Sequence, residues 1–95
     1  MKPAVSRIKR IILPILKEHG VVKAAIFGSV ARGEADSKSD VDILVKFRET
    51  PTLFDLGGLY ADLREKLGRR PDIVMYGSLD RRRKPYVMRD AVEIL

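Results

Sequence analysis

"FGSVARGEADSKSDVDILVKF", residues 27 to 47, puts a Gly28-Ser29 pair at the end of one apolar run and Asp40 and Asp42 at the start of the next. The preceding run, "VVKAAIF", is brief, β-branched at its start and bounded by glycine on both sides, so it reads as a short buried strand. "VDILVKF" reads as a second strand. Between them Gly28 allows a sharp backbone turn, and "SVARGEA" reads as a short helix whose free N–H groups point back toward the sheet edge. Those donors and the Ser29 hydroxyl suit an anion such as phosphate, although a Gly-Ser pair before a helix equally serves as a plain turn and N-cap.

Asp40 and Asp42 strengthen the phosphate reading. Side chains two apart on a strand project to the same side, roughly 6 to 7 Å apart, so two carboxylates can hold one or two divalent cations. Asp42 precedes "ILV" and falls inside an apolar strand, where an unpaired carboxylate is costly. Asp72 opens "DIVMY", a further apolar strand. If that strand lies beside the second one, three carboxylates meet at one sheet edge. Three acids around two metals clamp the attacking and leaving oxygens of an in-line phosphoryl displacement.

The flanking segments complete an α/β pattern. Val5, Ile8, Ile11, Ile12, Ile15 and Leu16 recur at helical spacing and predict a first helix closing near His19 and Gly20, with a kink or restart at Pro14. "PTLFDLGGLYADLREKLG" predicts a long helix opened by a Thr52/Asp55 capping box and stopped by Gly68, with Leu56, Leu59, Tyr60, Leu63 and Leu67 as its apolar stripe. The Gly57-Gly58 pair weakens that helix unless another element packs close. Ser78 is expected to cap a basic helix from Arg81 to about Asp90, and "AVEIL" reads as a terminal strand or the helix's own end. Phe27, Phe47 and Phe54 are expected in the core, and Tyr86 and Val87 on the sheet. The order predicts a small sheet packed with helices.

Ninety-five residues allow one domain, residues 1–95, with one modest core. No apolar run approaches the roughly 20 residues of a membrane span, and "IILPIL" lacks the features of a signal peptide, so a cytoplasmic protein without membrane attachment is expected. Zero cysteines and the single His19 exclude disulfides, Cys-based zinc sites and multi-histidine sites. A metal must therefore sit on oxygen ligands, which favours magnesium or manganese. The net charge of +6 lies at the ends. Residues 1 to 23 carry six Lys/Arg against one acid, residues 24 to 79 eight against nine, and residues 80 to 95 five against three. A basic balance favours a polyanionic partner, but no aromatic pattern for stacking bases accompanies it. "RRRKPYVMR", residues 81 to 89, reads either as a solvated helix face or as an interface for an acidic partner or RNA.

Gly28-Ser29, ten residues, Asp40, one residue, Asp42 and a later strand aspartate resemble the nucleotidyltransferase superfamily that includes DNA polymerase beta. "FGSVARGEADSKSDVDILV" and the short length resemble its smallest branch, the MNT (minimal nucleotidyltransferase) proteins, many of them antitoxins partnered with HEPN-domain ribonucleases. The likeness runs over nearly the whole chain and implies a palm-like fold with a small mixed sheet. It implies that Gly28 and Ser29 bind the β and γ phosphates of a nucleoside triphosphate, that Asp40 and Asp42 ligate two Mg²⁺ ions, and that Asp72 ligates one metal and helps activate the acceptor hydroxyl. The implied activity is transfer of AMP from ATP to a tyrosine of a HEPN toxin, with a homo-oligomer or a hetero-oligomer with the toxin as the assembly. Val30 stands where many relatives have arginine, which removes one cation near the triphosphate; Arg32 is the substitute expected to touch phosphate, with Lys46 a weaker choice. In 95 residues the nucleotide is expected to lie in a shallow site, with the acceptor presented largely by its own surface, which suits a folded protein partner better than a small molecule. Two other readings remain open at this level: an antitoxin acting by steric binding alone, and transfer to RNA or a small molecule.

Overall fold

A computed structural model describes residues 1–95, in the order α1 (Pro3–Glu18), β1 (Val21–Phe27), α2 (Gly28–Arg32), β2 (Val41–Phe47), α3 (Leu53–Leu67), β3 (Pro71–Met75), a 3-10 turn (Tyr76–Ser78), α4 (Lys84–Asp90) and β4 (Val92–Glu93). The strands form one mixed sheet in the order β3-β2-β1-β4. β1 runs antiparallel to β2 and β4, and β2 runs parallel to β3. No helix is long and apolar enough to cross a membrane.

Strand alternation sorts the side chains onto two unequal faces. Ala24 and Ile26 of β1, with Val41, Ile43 and Val45 of β2, face α1 and α3 and form the main core with Ile8, Ile12, Leu16, Leu59 and Leu63. The opposite face holds a smaller cluster of Ala25, Phe27 and Leu44 covered by Val87 of α4. Register shifts between Val21 and Lys23, so Val21 and Ala24 both reach the helix side although they are three residues apart. This irregularity turns Lys23 toward the sparsely covered face, where its ammonium lies 4.9 Å from the Tyr76 ring centroid.

α1 continues unbroken through Pro14, without the expected restart. Pro14 is exposed, so the Arg10 carbonyl left without its N–H partner can turn to water while Ile12, Ile15 and Leu16 hold the other side of the helix. The Thr52/Asp55 capping box forms in both directions, and Gly68 closes α3 in the left-handed region. Three aromatic expectations fail: Phe54 is 92% exposed, Tyr86 64% and Tyr60 41%. Each lies on an amphipathic helix with its apolar neighbours Leu59, Leu63 or Val87 already turned inward, and one helix cannot present both flanks to the same sheet. Ser78 does not cap α4. Instead the Arg83 N–H donates to the Asp80 carboxylate at 2.7 Å, residues 81–83 form a turn, and the helix begins at Lys84. The ambiguous C-terminal segment is a short strand on β1.

Candidate functional site

The parallel register of β2 and β3 sets Asp42 directly opposite Asp72. Both belong to the face away from α1 and α3, since Ile43 and Ile73 beside them point into the main core. Asp40 lies two residues before Asp42 at the entry to β2, on the same side by alternation. Burial, reinforced by the neighbouring Asp72 charge, a hydrogen bond shared with Asp72 and the Asp40 charge, pushes the Asp42 carboxyl up to about 6; Arg32 opposes the shift.

The three predicted carboxylates are not equally disposed. Asp42 and Asp72 face each other, whereas Asp40 accepts a hydrogen bond from Arg70 Nε at 3.2 Å. No three acidic or histidine side chains form a ready-made cation cage. The donor set nevertheless suits a hard divalent cation. It offers only carboxylate oxygens, and Asp42, raised by burial first and by the Asp72 and Asp40 charges next, is a group whose charged form a cation would favour.

Gly28 has φ +71 and lies against Asp42, so that a methyl group at this position would overlap the Asp42 carboxylate. Glycine is required twice over, by the backbone and by the close approach. The chain then enters α2, five residues long, with Phe27 as N-cap and no side-chain cap. Ser29 thus sits inside the first turn and the N-cap reading does not hold. Arg32 closes this helix and bonds Glu34 and Asp90, the latter at 3.0 Å from Nη1, which raises its own pKa through the Asp90 and Glu34 hydrogen bonds. It remains near enough to Asp42 for its charge to be felt there.

Val30 is 1% exposed, with its side chain in the main core. The valine itself faces the helices and not the carboxylates. Lys46 is exposed and pairs across the sheet with Lys23, beyond Leu44 from Asp42. His19 is the C-cap residue of α1, and its Nε2 meets Asp62 of α3 at 2.7 Å.

Two arginines escaped the sequence reading. Arg69 donates to the carbonyls of Asp36 and Ser39, each at 2.9 Å, and so pins the loop that delivers Asp40. Arg70 holds Asp40 itself. The signal was present: aligning "DVDIL" with "RPDIV" on their Asp-Ile steps places residue 70 beside residue 40 and residue 72 beside residue 42.

Residues 9–94 match the family model described as the nucleotidyltransferase domain. A Methanocaldococcus jannaschii protein, provisionally named a protein adenylyltransferase, is 45% identical over 91 residues, covering 96% of this chain and 98% of its own. A solved structure of a provisionally identified minimal nucleotidyltransferase is 42% identical with a TM-score of 0.77, covering 92% of this chain and 88% of its own. A solved complex of a tri-AMPylated Shewanella oneidensis HEPN toxin with an MNT antitoxin superposes with a TM-score of 0.73 over 95% of this chain and 71% of that one; at 18% identity the likeness is one of fold.

Proposed function

The chain belongs to the nucleotidyltransferase domain family, and from that premise we propose that residues 1–95 act as a single minimal domain transferring AMP from ATP to a tyrosine hydroxyl of a HEPN-domain toxin, thereby neutralising it. The observation that carries this reading is the facing pair Asp42 and Asp72 beside Gly28, with Asp40 at the same strand entry. Asp40, Asp42 and Asp72 would hold two Mg²⁺ ions, which when bound neutralise phosphate charge and polarise the α-phosphoryl group.

The chain's own groups account for the rest. Gly28 and Ser29 present the first turn of α2 to the β and γ phosphates, and Arg32 lies close enough to add positive charge. Asp72, exposed at the sheet's margin, faces the incoming acceptor and helps activate its hydroxyl. The acceptor oxygen forms a bond to the α-phosphorus, the bond from that phosphorus to the bridging oxygen of the β phosphate breaks, pyrophosphate leaves, and the hydroxyl proton passes to a carboxylate and on to solvent. Little covalent work is asked of the protein beyond positioning and charge compensation.

The hold of Arg70 on Asp40 favours a second reading, an antitoxin that works by steric occlusion with its site little used. The two separate in one experiment. The protein is incubated with ATP labelled at the α-phosphate, Mg²⁺ and the product of the adjacent reading frame, using wild type, Asp40→Ala and Asp42→Ala. Label on the neighbour that vanishes in both variants supports transfer. No label, with full neutralisation by both variants, sides with occlusion.

A further inference from the structure

β3 is an edge strand, paired with β2 on one side only. The Val41 N–H donates to the Arg70 carbonyl at 2.9 Å, so residues 70, 72 and 74 turn their backbone groups toward β2. By alternation Ile73 and Met75 turn theirs outward, where no strand meets them. A groove follows this edge between β3 and α3, with Asp72 at one end, Leu56, Gly57 and Tyr60 along the α3 wall and Arg83 at its rim. Past Met75 and Ser78 it continues into a second cleft beneath Lys46 and Tyr76.

Gly57 is the feature that the fold itself does not explain. It lies inside α3, where glycine costs about 1 kcal/mol relative to alanine. Its φ is not positive, and a Cβ there would meet nothing within 4 Å. Neither backbone conformation nor internal packing requires the missing side chain; what it leaves is space in the groove. Leu53 and Phe54, one turn earlier on α3, are 85% and 92% exposed.

We propose that this groove receives an extended, acidic, hydroxyl-bearing segment of the acceptor protein, which adds to β3 as a fifth strand and brings its hydroxyl to Asp72. The proposal rests on the transfer reading above and gives it a substrate shape. Main-chain bonds to Ile73 and Met75 supply sequence-tolerant affinity, and side chains alternate between the α3 wall and the carboxylate face. A residue opposite Asp72 on the added strand shares the face of Asp72 and Asp42, because directly paired residues on neighbouring strands project together. Arg83, with Arg81 and Arg82 exposed beside it, favours acidic flanking residues. Continuity of the groove with Asp72 and this charge preference point to the acceptor rather than to a second copy of this basic chain.

The test uses the full chain and an unstructured copolymer of glutamate and tyrosine as probe. Binding is followed by fluorescence anisotropy, and amide exchange at Ile73 and Met75 by NMR. The expected result is binding that slows exchange at both amides and weakens by about tenfold in Gly57→Leu, with Gly57→Ala intermediate. Leucine is the better helix former, so the melting temperature should not fall, and Mg-ATP affinity should stay unchanged. Binding that leaves both amides unprotected and is equal in Gly57→Leu overturns the proposal in favour of simple attraction to the arginines. Absence of binding overturns it too, as does protection that appears without copolymer and grows with protein concentration, which assigns the edge to a second copy. Copolymer binding does not require transfer, so loss of label transfer with groove binding intact counts against the enzymatic reading alone, and the converse counts against the groove alone.

Discussion

Asp42 on β2 and Asp72 on β3 stand directly opposite each other in a parallel register, and burial, reinforced by their mutual repulsion, holds the Asp42 carboxyl at about 6. This shift has a sign that stability measurements can read. Asp42 binds its proton more tightly when folded than when unfolded, where 3.8 is its ordinary value. The metal-free chain therefore loses stability as pH rises from about 4 through about 6, and stays at the lower level above that. The full shift corresponds to about 3 kcal/mol, and with Asp42 only partly buried about 1 to 2 kcal/mol is expected. Thermal melts from pH 4 to 8 should show this slope in wild type and lose most of it in Asp42→Asn.

The same substitution should separate stability from activity. Above pH 7 Asp42→Asn removes the crowded charge and should melt higher than wild type without metal. Transfer from ATP should fall by about 10³-fold or more, since a proposed metal ligand is gone. Addition of Mg²⁺ should raise the melting temperature of wild type and leave that of the variant nearly unchanged.

Gly28→Ala should be costly on two counts, a left-handed φ and overlap with the Asp42 carboxylate. A loss of about 1 to 3 kcal/mol is expected by chemical denaturation. Because the relief must come from moving Asp42, Mg²⁺ affinity measured by calorimetry should weaken as well. Gly20→Ala is the control: it shares the positive φ but meets no atom within 4 Å, so it should lose stability and leave Mg²⁺ affinity unchanged.

Arg70→Gln should free Asp40. The pair is a surface one, with the Arg70 side chain 70% exposed, so stability should change by no more than about 0.5 kcal/mol. Mg²⁺ binding should tighten by about two- to fivefold, because the cation no longer displaces a guanidinium from its ligand. Unchanged or weaker affinity would show that Arg70 orients Asp40 rather than competing for it.

Val30→Arg tests the location of that side chain. Placing a cation in the main core should cost about 3 to 5 kcal/mol and leave nucleotide affinity no better than in wild type. A stable variant with improved affinity would mean that the position reaches the phosphates after all.

Much of this architecture was legible because glycines punctuate the chain where apolar periodicity changes. Gly20, Gly28 and Gly68 mark ends that the structure keeps, and the Thr52/Asp55 box marks the start of α3. Periodicity was less informative about which flank of a helix meets the sheet, and so Phe54, Tyr60 and Tyr86 were misplaced while Leu59, Leu63 and Val87 were not. The local sequence also could not reveal contacts fixed by strand register. Asp42 beside Asp72 and Arg70 beside Asp40 both follow from one parallel alignment of β2 with β3, which neither strand carries by itself. The start of α4 was missed because Asp80, not Ser78, organises the preceding turn.

We propose that the carboxylates of β2 and β3 support metal-dependent adenylyl transfer to a protein. The most direct test is the intact mass of the adjacent gene's product after incubation with ATP and this chain, in Mg²⁺ and in excess chelator. Addition of one or more adenylyl groups is expected in Mg²⁺, with none in chelator and none with Asp42→Asn. An unmodified partner in Mg²⁺, or the same adduct formed by Asp42→Asn, would contradict it.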